Sequence, residues 1–217
     1  MTQFVSNRGI YEYIVRDIVP SACHRLWIAT ADIKDMYVDS GGRDMVPFLE
    51  VLDGMVKRGV EVRLIHAKDP GPNWRNDFDR YPTLWTAMER MLCPRVHFKC
   101  IIVDGVKAYF GSGNLTGAGM GAKSEKKRNF ENGVLSDDPA LVEPLVEQFD
   151  SVWRGGVSRL WPPRLRRRSS GVDCQDRVSC EYVPTHCRRL RNTPGVGGWS
   201  FLTLRRLAAR ATMKSVR

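Results

Sequence analysis

Between His97 and Asn114 the chain sets an aspartate and four polar residue types that handle phosphate at fixed intervals inside an otherwise apolar, β-prone segment. They run His97-Phe98-Lys99, then Asp104, then Gly111-Ser112-Gly113-Asn114. Lysine offers a point charge to a phosphate oxygen, and asparagine an amide donor. Glycines let backbone amides come close to a ligand. Histidine is the one side chain whose ordinary pKa puts both its acid and base forms within reach at neutral pH. Brought together, these groups could bind a phosphate ester and act on it.

Bringing them together is the task of a hairpin. Asp104-Gly105 is a strong turn signal, because both residues tolerate positive φ in a type I′ turn. Val96–Val103 and Val106–Phe110 flank it as β-prone runs. A two-residue loop makes 103 face 106, so that 99 faces 110 and 97 faces 112. Residues two apart on a strand, and residues directly opposed, share a sheet face. The expected result, if no bulge shifts the register, is one face carrying His97, Lys99, Ser112 and Asn114.

Written as H-x-K-x4-D-x6-G-S-x-N, the stretch resembles the phospholipase D superfamily at every position of that family's motif. Asn114-Leu115-Thr116-Gly117 and Phe130-Glu131-Asn132-Gly133-Val134 look like the family's next loop and core strand, and the likeness runs from about Leu26 to Trp153. It implies an α/β fold with a mixed β-sheet flanked by helices. It also implies a phosphodiesterase that uses no metal or other cofactor and works through a covalent phosphohistidine on His97. Lys99 and Asn114, with Ser112, would bind the non-bridging oxygens. Glu131 would hydrogen-bond the far nitrogen of His97, fixing its tautomer as an Asp does in a Ser-His-Asp triad. Asp104 has two readings that stay open: turn chemistry alone, or electrostatic shaping of the site.

The mechanism needs a second imidazole to protonate the leaving oxygen, and the chain has one complete motif. A two-fold homodimer with a shared site is therefore expected. Short single-motif members of the superfamily include nucleases, which favours nucleic acid as substrate and partner. A phospholipase D acting on phospholipid head groups is the alternative, and a non-catalytic phosphate- or DNA-binding module a third.

Charge supports none of these by itself. The formal net charge of +10 divides into 20 Lys/Arg against 21 Asp/Glu through Val157, and 14 against 3 from Ser158 onward. The expected organisation is a catalytic domain over 1–157 and a basic, low-order tail over 158–217, the tail's composition predicting disorder. Cys174, Cys180, His186 and Cys187 in the tail lack zinc-site spacing, and 201–217 has a weak basic amphipathic pattern. No secretory leader or membrane-spanning run is visible, so a cytoplasmic protein without integral membrane association is expected.

Upstream, Ser6 or Asn7 is expected to cap a helix reaching Val19, followed by a strand over Leu26–Ala31 and a loop over Asp32–Arg43. A helix spaced on Met45, Phe48, Leu49, Leu52 and Val56 then leads to a strand over Val60–His66, forming a βαβ unit. Pro70–Tyr81 reads as loop, and Pro82 opens a helix carrying Leu84, Met88, Met91 and Leu92. Lys123, Lys126, Lys127 and Arg128 make a basic loop that could meet flanking phosphates. Phe130–Leu135 reads as a strand, and Asp138-Pro139 starts a last helix. His66-Ala67-Lys68 repeats the H-x-K pattern without its continuation; an ordinary core histidine is the favoured reading, and its place at a strand's carboxyl end leaves a cleft-edge role open.

Overall fold

A computed structural model describes residues 1–39, 41, 44–155 and 181–183, all within one compact unit, Met1–His186. In chain order it forms strands β1 (Thr2–Ser6), β2 (Arg25–Thr30), β3 (Tyr37–Asp39) and β4 (Met45–Pro47). Helix α1 (Phe48–Lys57), β5 (Glu61–His66), α2 (Pro72–Phe78), α3 (Pro82–Ala87) and β6 (Met88–Leu92) follow. After these come β7 (Lys99–Val103), β8 (Lys107–Gly111), β9 (Asn132–Ser136), α4 (Pro139–Trp153) and β10 (Glu181–Val183). A π-helical segment, Ile10–Ile18, joins β1 to β2.

The main sheet is mixed, in the order β1-β9-β8-β7-β2-β5-β6-β10. Its centre is the expected βαβ unit, with β2 and β5 parallel from Arg25↔Glu61 to Thr30↔His66. Both faces are buried, and strand alternation decides which side chain goes where. Ile101, Val103, Tyr109 and Leu135 pack with the π-helical segment and α1, whereas Cys100, Ile102 and Ala108 pack against Val142, Phe149 and Val152 of α4. Phe149 stacks on Trp27 at 5.0 Å between centroids. Cys100 is a buried free thiol whose pKa burial pushes up to about 12.

Several elements differ from the sequence expectation. Thr2–Ser6 is a strand, because it finds β9 as an antiparallel partner (Phe4↔Val134) that no local periodicity announces. The 32–43 loop contains β3, and Met45 lies in β4, the two pairing as a short hairpin. α2 occupies part of the supposed 70–81 loop, with Trp74 stacked on Phe78 at 4.9 Å. The helix opened by Pro82 stops at Ala87. Met88–Leu92 is instead a strand, since β5 offers a parallel ladder from Val62↔Met88 to His66↔Leu92. In a short apolar run such pairing overrides helical spacing.

Asp138 caps α4 as expected, its carboxylate accepting from the Ala140 amide at 3.0 Å, and Pro144 lies within that helix. Of the tail, only Glu181–Val183 is described, pairing antiparallel with β6. The expectations for its cysteines and for 201–217 lie outside the described residues. Among the described residues no helix is long and apolar enough to cross a membrane.

Candidate active site

The hairpin that carries the motif is present, with one residue more in its turn than the arithmetic allowed. Asp104 and Gly105 both take positive φ, 54° and 74°, and the Val106 amide donates to the Val103 carbonyl at 3.1 Å, as a tight turn requires. Pairing then resumes at Val103↔Lys107, leaving Val106 out of the ladder and 60% exposed. This is a β-bulge, and it moves every downstream partner by one. Lys99 faces Gly111 rather than Phe110. By alternation, His97 no longer stands opposite Ser112, which corrects the expected one-face cluster.

The site is instead assembled from strand ends. His97 lies on the extended run before β7. The Lys99 ammonium folds back on it, donating to the His97 carbonyl at 2.8 Å and standing 3.3 Å from Nδ1. β8 ends at Gly111, and Ser112 leaves the ladder. Its Oγ donates to Glu131 Oε2 at 2.5 Å, just ahead of β9, while its amide donates to the Asn132 carbonyl at 2.9 Å. Glu131 Oε1 accepts from Asn129 Nδ2 at 3.0 Å. Within one chain, then, Glu131 is engaged by Ser112 and Asn129, and the expected hydrogen bond to His97 is not formed.

Asn114 is fixed by its oxygen. Oδ1 accepts from the Asp32 amide at 3.1 Å and lies 3.4 Å from Thr30 Oγ1. That geometry leaves the Nδ2 donors uncommitted among the described residues. Thr30 in turn accepts from the Leu115 amide at 2.9 Å and donates to the Asp32 carbonyl at 2.7 Å. The cradle has little room: a Cβ on Gly111 would lie 2.4 Å from the Asn132 carbonyl oxygen and 2.7 Å from Tyr109 Oη. Tyr109 is buried, and burial, helped by the charge of Glu131, raises its pKa.

Asp104 is elsewhere. It sits at the opposite end of β7 from Lys99, roughly 16 Å away by strand rise. Its carboxylate accepts from the Cys23, His24 and Arg25 amides at 3.0, 2.8 and 2.8 Å. Partial burial alone would raise its pKa. The hydrogen bonds from those amides outweigh that and hold it below the usual carboxylate range. The geometry shows Asp104 anchoring its turn to the start of β2, at the far end of β7 from Lys99. His66, beside Thr30 on β5, is buried with Nδ1 2.8 Å from the Lys68 carbonyl oxygen.

Two supporting residues escaped sequence reasoning. Thr30 could have been suspected as a lone hydroxyl closing an apolar strand. Asn7 carried no such sign: it adopts φ 49°, donates its amide to the Glu131 carbonyl at 2.8 Å and accepts the Glu131 amide on Oδ1 at 3.1 Å.

The family described as "Cardiolipin synthase, PLD-like domain" matches residues 15–153, well over half of the chain. The chain belongs to the phospholipase D superfamily. A curated relative, the mitochondrial cardiolipin hydrolase of Chlamydomonas reinhardtii, is 30% identical over 97 residues. That match takes in 44% of this chain and 41% of the relative, so the chain spans well under half of the relative's length. Among solved structures, Nuc from Salmonella typhimurium, a phospholipase D family member, aligns with a TM-score of 0.52 at 20% identity. The alignment covers 71% of this chain and 94% of Nuc. NucT from Helicobacter pylori aligns with a TM-score of 0.52 at 15% identity, over 71% of this chain and 96% of NucT. At such identities the two structures establish the phospholipase D fold: a mixed sheet between helices, with the His97–Asn114 hairpin near its middle.

Proposed function

We propose that the protein is a phosphodiesterase that cleaves nucleic acid through a covalent phosphohistidine, working as a homodimer. The observation that carries this reading is the convergence of the Lys99 ammonium on His97, at the sheet end where Thr30 and Asp32 hold Asn114 by its oxygen and leave its amide donors uncommitted. A phosphodiester entering here meets two donors for its non-bridging oxygens, where negative charge grows in the transition state. Lys99 shifts from the His97 carbonyl to the phosphate, which frees the imidazole. His97 forms a P–N bond, and the P–O bond to the leaving alkoxide breaks. The proton for that alkoxide comes from His97 of a second copy, protonated at the outset. That second imidazole then takes a proton from water, whose oxygen displaces His97. Ser112 and Glu131 border the same cradle and would orient groups across the two-fold axis.

Nucleic acid is favoured by the Lys123–Arg128 loop, whose cations follow the motif directly and form no ion pair among the described residues. A phospholipid substrate is the second reading, favoured by the names of the matching family and of the cardiolipin hydrolase relative. Parallel assays on DNA, RNA, phosphatidylcholine and cardiolipin, each in EDTA, test both. EDTA-resistant cleavage of an oligonucleotide, lost in His97→Ala, is the expected result. Cleavage of lipid alone would reject the nucleic-acid reading, binding without cleavage would reject catalysis, and a strictly monomeric active enzyme would reject the shared site.

A further inference from the structure

We infer that Phe130 is a stacking platform for an unpaired base of the strand being cleaved, so that the enzyme prefers single-stranded to duplex nucleic acid; this rests on the nucleic-acid reading above. Phe130 is 96% exposed, the most exposed large apolar side chain among the described residues. Leaving a phenyl ring in water contributes nothing to folding. Yet the backbone beneath it is tightly held. The Asn129 amide donates to the Ala118 carbonyl at 3.1 Å, and Glu131 exchanges hydrogen bonds with Asn7 on both sides of its peptide. The 3.0 Å contact between the Asn129 and Glu131 side chains sets those two on one side of the extended chain and turns Phe130 to the other. The ring is held in place without being packed.

Its surroundings fit one kind of partner. Lys123, Lys126, Lys127 and Arg128 precede it with only Glu125 to oppose them. Their loop is pinned to the turn after Asn114 by the Lys123 amide, which donates to the Gly117 carbonyl at 3.0 Å. A cationic track ending in an exposed ring is how single strands are held, phosphates along the cations and a base on the ring. Duplex bases are already stacked on each other and offer the ring no face. A bilayer fits less well, because membrane binding scales with buried apolar area, and Phe130 is the one large apolar residue between Gly121 and Asn132.

The test uses the full chain, one labelled oligonucleotide offered single-stranded and as a blunt duplex, a small aryl phosphodiester, and anionic vesicles. Wild type should cleave the single strand in preference. Phe130→Ala should raise KM for it by about 5- to 150-fold, the range expected for one base–aromatic stack, with kcat changed much less, and Phe130→Trp should restore KM. A wild type that cuts both forms alike, or a Phe130→Ala protein with unaltered KM, overturns the inference and leaves the nucleic-acid reading standing. A halved native mass in Phe130→Ala overturns it in favour of a subunit contact, and lost vesicle binding with unaltered KM in favour of a membrane contact. A wild type that cleaves the aryl diester but neither oligonucleotide overturns the nucleic-acid reading, and this inference with it.

Discussion

Ser112 Oγ stands 2.5 Å from Glu131 Oε2, a short charge-assisted contact that ties the glycine-rich turn after β8 to the start of β9. It spans 19 residues of sequence, and it occupies the carboxylate that the motif alone would assign to His97. Because the pair holds the cradle in shape, Ser112→Ala should lower kcat on a nucleic-acid substrate by about 10²-fold, the cost of a small misplacement of the reacting groups. Steady-state kinetics on the variant decide this. Activity within twofold of wild type would reduce the contact to a local strut.

Thr30→Val keeps the shape of the side chain and removes the hydroxyl that accepts the Leu115 amide. A buried amide left unpaired costs about 1–3 kcal/mol. A lower midpoint in urea and a reduced kcat, through looser positioning of Asn114, are both expected. Stability lost with full activity would separate Thr30 from the site.

Mixed dimers test the shared site. One two-fold site would need His97 from both copies, so a heterodimer of wild type and His97→Ala should be inactive. Adding excess His97→Ala protein, after subunit exchange, should suppress wild-type activity well beyond simple dilution. Activity proportional to the wild-type fraction would mean that each chain works alone.

Asp104 gives a pH signature. Its folded pKa is depressed, so its contribution to stability is fully present above the unfolded value of about 3.9 and is lost as pH falls through the folded value. Asp104→Asn should destabilise the protein at pH 7 by about 1–3 kcal/mol, the range for a lost set of charged hydrogen bonds. It should also flatten the stability curve below about pH 4. Thermal melts from pH 2 to 7 make the comparison.

Asp35 has the opposite sign. Burial raises its pKa to about 6, against hydrogen bonds from the Met36, Leu49 and Phe48 amides that pull the other way. The folded state resists ionising it, so stability should fall as pH rises from about 4 through about 6. Asp35→Asn should melt higher than wild type at pH 7 and no higher at pH 4. A lower melting temperature at pH 7 would mean that the charge is held favourably.

By itself the sequence determined the features that depend on neighbours a few residues away. The Asp104-Gly105 turn follows from two residues that accept positive φ, the βαβ unit from apolar spacing over β2, α1 and β5, and the chemical repertoire from the His97–Asn114 motif. What it left undetermined depended on partners distant in the chain. Met88–Leu92 became a strand because β5 presented a free ladder, and Thr2–Ser6 because β9 did. Asn7 and Thr30 entered the site only when folding brought them against Glu131 and Asn114.

The bulge at Val106 is the clearest case. A period-two pattern cannot reveal one extra residue in a turn, yet that residue set Lys99 opposite Gly111 in place of Phe110. The sequence named the groups, and the tertiary pairing decided which of them meet, because strand register is settled by the whole sheet rather than by the hairpin that carries the motif.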